Sequence, residues 1–280
     1  MAFLRIKTTK MNVIVITGAS DGIGAEMARQ LAAARGKTVA LVLAARSEDK
    51  LQAVAAECEA LGASTLVVPM DVREEQQCRS LIDLTVSRFR RIDGLINNAG
   101  VSAQALFADV KPADLHWYED LMKVNLWGSV WCTHAALHAL KASRGRIVAV
   151  SSLAGLVGVP GRTAYSATKF AMTGFFEALR AELRSAGVSV TTAYPGVVAT
   201  QIRHRGLNAR GIAAGSSGLK EDDAMSVQEC ARLILAGMAD RKREVVMTSK
   251  GKLGRFVKLI APGVVEDMAL AALKDGAKPK

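Results

Sequence analysis

The chain has 280 residues, half of them hydrophobic and 22% charged, a balance that excludes disorder and implies a packed core. Its net charge of +11 suits an anionic partner or ligand, but no zinc finger, aromatic RNA-binding stripe or helix-turn-helix accompanies it, which sets nucleic acid aside. No apolar run approaches the roughly 20 residues that span a bilayer. Cys58, Cys78, Cys132 and Cys230 form no CxxC pair, so neither a disulfide framework nor a zinc knuckle is expected, and a reducing, cytoplasmic setting is the default.

Residues 1–10 read as an extension whose apolar stretch is too short for a secretory segment, and Met11 is itself a candidate start. Asn12–Thr17 (NVIVIT) predicts a buried strand and Gly22–Arg35 a helix. Thr38–Ala44 is the next strand, with a helix from Ser47 to about Leu61. Ser64–Met70 and Glu74–Phe89 form a third strand and helix, and Asp93–Asn97 is a short strand leading into a glycine turn. Leu115–Leu140 predicts one long helix, bent near Asn125–Gly128. Arg146–Ser151 and Val188–Tyr194 are strands on either side of a helix from about Tyr165 to Ser185. Ser226–Ala239 is helical and Glu244–Thr248 is the last strand. Strict alternation predicts one α/β domain over residues 11–248: a doubly wound, Rossmann-type parallel sheet of about seven strands, in the order 3-2-1-4-5-6-7, with right-handed crossovers.

Several motifs fall at the ends of these strands. Thr17-Gly18-Ala19-Ser20-Asp21-Gly22-Ile23-Gly24 joins the first strand to the first helix, where glycines let the backbone approach a pyrophosphate at a helix N-terminus. The second strand ends Ala44-Ala45-Arg46-Ser47. No carboxylate is present there to accept from a ribose 2′-hydroxyl, and Arg46 offers a fork of donors to a 2′-phosphate, which favours NADP over NAD. Asp71, followed by Val72, is placed to accept from an adenine amino group. Asn97-Asn98-Ala99-Gly100 supplies small residues and amides beside the adenosine half of a ligand. Each of these also suits ordinary turn chemistry.

Tyr165-Ser166-Ala167-Thr168-Lys169 puts a tyrosine and a lysine at i and i+4, on one helix face, and Ser152 closes the fifth strand. A tyrosine of pKa about 10 is a poor base near neutrality, and a nearby ammonium favours the phenolate. A downward shift of ~3 units, worth about 4 kcal/mol, is a reasonable task for Lys169 together with a cationic nicotinamide.

With TGASDGIG, NNAG, YSATK and Pro195-Gly196-Val197-Val198-Ala199-Thr200 in this order and spacing, the chain resembles the short-chain dehydrogenase/reductase family from Asn12 to about Thr248. The resemblance implies a catalytic tetrad of Asn125, Ser152, Tyr165 and Lys169. In it, Tyr165 exchanges the hydroxyl proton, Ser152 holds the substrate oxygen, and Lys169 tunes Tyr165 and binds ribose. Asn125 holds a water that links Lys169 to solvent. The implied NADP site comprises Gly18, Ser20, Asp21, Gly22, Ile23, Gly24, Arg46, Ser47, Asp71, Val72, Asn98, Ala99, Gly100, Tyr165, Lys169, Pro195, Gly196, Val198 and Thr200. Val198 is near the nicotinamide carboxamide and Thr200 near its phosphate. Asp21 departs from the pattern of many NADP-using members, which carry a basic residue there, and leaves Arg46 as the main basic determinant. The resemblance further implies a homodimer or homotetramer and a small carbonyl or alcohol substrate. The rival readings are a β-ketoacyl-carrier-protein reductase and a non-catalytic NADP-binding regulator.

Arg203, His204, Arg205 and Arg210 form a basic cluster in a region that family members often use as a lid. His134 and His138 are at i, i+4 but lack the HExxH glutamate and a third ligand, so no metal is expected. Beyond Thr248, residues 249–280 form a basic amphipathic tail. There Leu253, Phe256, Val257, Leu259 and Ile260 interleave with Lys250, Lys252, Arg255 and Lys258, and a second helix is expected near Val264–Leu273. The tail is similar to that of hydroxysteroid-dehydrogenase-like bacterial members, which suggests an apolar substrate. Packing of the stripe against the fold is the first expectation; peripheral contact with an anionic membrane is the second.

Overall fold

Val13 and Val15 point to one face of the first strand and Ile14 and Ile16 to the other, as the two-residue period of an extended chain requires. Both faces of the strand therefore need cover, and helices supply it. The computed structural model describes residues 11–215 and 224–276; the expected extension, residues 1–10, lies outside them.

Among the described residues, seven parallel strands form one sheet: β1 (Asn12–Thr17), β2 (Val39–Ala45), β3 (Ser64–Pro69), β4 (Gly94–Asn97), β5 (Arg146–Val150), β6 (Ser189–Tyr194) and β7 (Glu244–Val246). Their order is β3-β2-β1-β4-β5-β6-β7, as expected. Helices α1 (Gly22–Arg35), α2 (Glu48–Ala60) and α7 (Val227–Ala239) bury Met27, Leu51 and Ile234 against Ile14, Ile16, Leu41 and Leu43. On the other face α3 (Glu75–Phe89), α5 (Gly128–Ser143) and α6 (Thr163–Glu182) bury Leu81, Leu140 and Phe176 against Val13, Val42 and Leu95. Each such side chain contributes roughly 1.5–3 kcal/mol of burial. The chain reverses strand order between β1 and β4, which opens a crevice at the carboxyl ends of the strands.

Most element ends shift by one to three residues from expectation, and two differences bear on the site and the tail. The predicted helix Leu115–Leu140 is instead α4 (His116–Met122), a π-turn at Lys123–Trp127, and α5. The expected bend is thus a wider turn that carries Asn125 inward. The last strand stops at Val246, before Thr248, because Thr248 caps the next helix, its Oγ1 accepting from Gly251 N at 2.9 Å.

That helix, α8 (Ser249–Ile260), is followed by α9 (Pro262–Gly276), and of the expected apolar stripe only Val257 is half-buried against the body of this chain. Leu253, Phe256, Leu259 and Ile260 are 65%, 60%, 79% and 86% exposed. The inward side of α8 carries Gly251, Arg255 and Lys258. Lys258 donates to the Leu156 carbonyl at 3.1 Å and lies 4.8 Å from the Phe170 ring centre, while Arg255 pairs with Glu244. The two cations satisfy polar groups of the body, and the four exposed apolar side chains turn outward. Among the described residues, no helix is long and apolar enough to cross a membrane.

Candidate functional site

Parallel pairing brings the carboxyl ends of β1 to β6 to one edge, and every predicted motif follows one of those ends. Thr17 at the end of β1 ties this edge together: its hydroxyl accepts from Asn98 N at 3.0 Å and Ala99 N at 3.1 Å. The Asn98 amide in turn donates to the carbonyls of Thr17 and Gly18, at 3.0 and 3.2 Å. Gly18 has φ +66°, and a Cβ there would stand 2.9 Å from Ala99 Cα. A Cβ on Gly24 would stand 2.2 Å from the Gly18 carbonyl oxygen. The glycine spacing therefore lets α1 pack down on its own turn and leaves the helix N-terminus open to the crevice.

The crevice is a cleft of about 500 Å³. Its walls include all the predicted cofactor residues except Gly24, from Gly18 and Ser20 through Arg46, Asp71 and Asn98 to Pro195, Val198 and Thr200. Gly24 lies behind the turn, where its role is close packing. Among the described residues, six basic side chains line the cleft, Arg46, Lys50, Arg162, Lys169, Arg203 and Arg205, against two acids, Asp21 and Asp71, an imbalance that favours an anionic ligand. Sequence reasoning missed Lys50 and Arg162. The available signals were Lys50 in the first turn of the helix after Arg46-Ser47, and Arg162 three residues before Tyr165.

Both acids are already engaged. Asp21 accepts from Gly22 N at 2.7 Å, capping α1, and from Arg205 at 2.7 Å. Burial works against its charged form, but these two hydrogen bonds and the nearby cations hold its pKa below the usual carboxylate value. Asp71 accepts from the Arg73 backbone and guanidinium at 2.7–3.0 Å. Of the predicted basic cluster, Arg203 and Arg205 line the cleft, while His204 and Arg210 do not. Arg203 is buried and donates to the Val198 carbonyl at 3.2 Å.

Ser152, Tyr165 and Lys169 meet at the other end of the cleft. Ser152 follows β5, where its Oγ accepts from Ala154 N at 3.2 Å, and it lies on the same wall of the cleft as Tyr165. Lys169 Nζ donates to the Val150 carbonyl at 2.9 Å and lies 5.8 Å from the Tyr165 ring centre. The Arg162 guanidinium is also 5.8 Å from that centre. Burial raises the Tyr165 pKa, opposed by the neighbouring Ser152 hydroxyl and by Arg162 and Arg203. Burial pushes Lys169 down to about 8. In the protein alone desolvation of Tyr165 thus outweighs the neighbouring cations; the expected lowering involves a cationic nicotinamide as well as Lys169.

Asn125 is fully buried and does not line the cleft. Its amide nitrogen donates to the Val101 carbonyl at 3.0 Å and to Thr168 Oγ1 at 2.9 Å, and its oxygen accepts from Val101 N at 2.8 Å. It clamps the loop after β4 to α6. Gly100 lies beside it: a Cβ there would be 3.2 Å from the Asn125 oxygen and 3.6 Å from Lys169 Nζ. His134 and His138 are exposed on α5. Among the described residues, no group of three or more His, Cys, Asp or Glu is placed to hold a metal.

A family model described as short chain dehydrogenase matches residues 12–210. The chain is 36% identical over 251 residues to 11-beta-hydroxysteroid dehydrogenase-like 4A of Arabidopsis thaliana, covering 89% of this chain and 81% of that one. It is 34% identical over 260 residues to 11-beta-hydroxysteroid dehydrogenase A of Sesamum indicum, covering 91% and 73%. An X-ray structure of alcohol dehydrogenase from the archaeon Thermococcus sibiricus, complexed with 5-hydroxy-NADP, matches with a TM-score of 0.73 at 24% identity. That match covers 85% of this chain and 96% of the other, and the likeness is one of fold.

Proposed function

This chain belongs to the short-chain dehydrogenase family, an oxidoreductase family, and from that premise we propose that it is NADP-dependent and interconverts a ketone with a secondary alcohol. The observation that carries this reading is the convergence of Ser152, Tyr165 and Lys169 at one end of a cleft whose other end opens on the α1 N-terminus.

The cleft suits a dinucleotide. Gly18, Ser20, Gly22 and Ile23 line it at the α1 N-terminus, and the lining is rich in cations. Gly18, Ser20, Gly22 and Ile23 would hold the pyrophosphate, and Arg46, Ser47 and Lys50 the 2′-phosphate. Pro195 to Thr200 would flank the nicotinamide. A bound nicotinamide supplies or accepts the hydride. Ser152 holds the substrate oxygen, and Tyr165 donates its hydroxyl proton to that oxygen in reduction and takes it back in oxidation. Lys169 keeps its ammonium between Tyr165 and the ribose. Asn125 positions the loop beside Lys169, and solvent water reaching the cleft restores the proton. The tail and the names of the relatives favour an apolar substrate.

Titration of the purified protein with NADPH and NADH, followed by a ketone screen at the reduced-nicotinamide absorbance, tests the proposal. NADPH is expected to bind more tightly, and Arg46→Ala to weaken NADPH alone by about tenfold. Equal affinities unchanged by Arg46→Ala would remove the NADP assignment. Failure of every ketone and alcohol to turn over would remove the oxidoreductase reading.

A further inference from the structure

We infer that α8 docks the protein on the surface of an anionic lipid bilayer. An amphipathic helix on a globular body ordinarily turns its apolar face inward; α8 does the reverse. Its inward face carries Gly251, Arg255 and Lys258, held by the Arg255–Glu244 pair and by the Lys258 contacts with Leu156 and Phe170. Opposite to it, Leu253, Phe256, Leu259 and Ile260 form a stripe more than half exposed at every position. The stripe continues onto α9 through Val264 and Met268, 52% and 64% exposed.

Charge selects the occupant. Exposed Lys250 and Lys252 flank the stripe, and α8 contains no carboxylate. The nearest acids in the tail, Glu266 and Asp267, are on α9. A second copy meeting this face about a twofold axis would set the same lysines against each other. Anionic headgroups neutralise them while the side chains between enter the acyl boundary. At 12 residues the helix is too short to span a bilayer and lies in its plane. It is also fixed to the cleft rim: a Cβ on Gly251 would stand 2.4 Å from Leu153, which lines the cleft.

The test is sedimentation of the full chain with phosphatidylcholine vesicles, with and without phosphatidylserine. Two variants accompany it: one replaces Leu253, Phe256, Leu259 and Ile260 by Ser, the other carries Lys250→Glu and Lys252→Glu. The wild-type chain should pellet with the phosphatidylserine vesicles and be released by salt. Each variant should lose about tenfold or more in partitioning while keeping its melting temperature and its NADPH affinity, which report separately on the fold and on the cofactor reading. Absence of vesicle binding, or undiminished binding by both variants, would overturn the inference. So would a dimer in analytical ultracentrifugation that the serine variant converts to monomer without any vesicle binding, which would assign the face to a second copy.

Discussion

Lys169 Nζ hydrogen-bonds to the Val150 carbonyl and stands 5.8 Å from the ring centre of Tyr165. The two residues share a buried pocket without a direct bond between their polar ends. Burial then acts on them in opposite directions, raising the phenol and lowering the ammonium, so both lean toward neutral forms until a ligand changes the field.

The first prediction concerns that field. In the protein alone Tyr165 should titrate above the ordinary value of about 10, read as the difference in phenolate absorbance between wild type and Tyr165→Phe. Adding oxidised cofactor brings a cationic nicotinamide and should move the titration down. No movement would refute cofactor-assisted ionisation. Tyr165→Phe should abolish turnover and leave NADPH affinity within about twofold.

Lys169 carries a cost in the protein alone. Its pKa is about 8 when folded, against 10.5 for an unperturbed lysine. The unfolded chain binds more protons between those values, so stability rises as pH climbs from about 8 to about 10.5, and the penalty is complete below about 8. That penalty is on the order of 3 kcal/mol, offset by roughly 1 kcal/mol for the bond to Val150. Lys169→Met should therefore raise the melting temperature at pH 7 by about 4 °C and abolish activity. A lower melting temperature at pH 7 would contradict this balance.

Asn125→Ala removes three hydrogen bonds and strands the Val101 amide and carbonyl. It should cost about 2–4 kcal/mol in urea denaturation, and it should lower kcat more than cofactor affinity, because the loop beside Lys169 loosens. A loss below about 1 kcal/mol would mean that water replaces the amide without penalty.

Asp21 separates two roles. Asp21→Ala removes the α1 cap and should cost about 1 kcal/mol, whereas Asp21→Asn keeps the cap and loses only the ion pair with Arg205. That pair is roughly half exposed on both sides and should be worth less than about 1 kcal/mol. Arg205→Ala should therefore match Asp21→Asn in denaturation. Equal, large losses for all three would mean that the ion pair outweighs the cap.

The sequence by itself determined the sheet, its order and the edge where the cleft forms. Continuous apolar runs rich in β-branched residues, separated by helical patterns, leave both faces of the central strands apolar, and right-handed crossovers then admit few arrangements. It also determined the family, through motifs at which Gly18, Gly24 and Asn98 pack against one another. Which neighbours a side chain meets was decided by tertiary structure. Nothing local marks Asn125 as buried: a π-turn carries it inward, and its partners Val101 and Thr168 come from distant segments. Asp21 and Arg205 are 184 positions apart, and Lys50 and Arg162 reach the cleft only once their helices are placed. The sign of the Tyr165 shift also belongs to the fold, since the spacing to Lys169 specifies a charge while the depth of burial specifies the dielectric. In α8 the periodicity fixed an apolar stripe and a basic one but left open which would face the body. The outcome depended on Leu156, Phe170 and Glu244, because a helix docks by whichever face the opposing surface can satisfy.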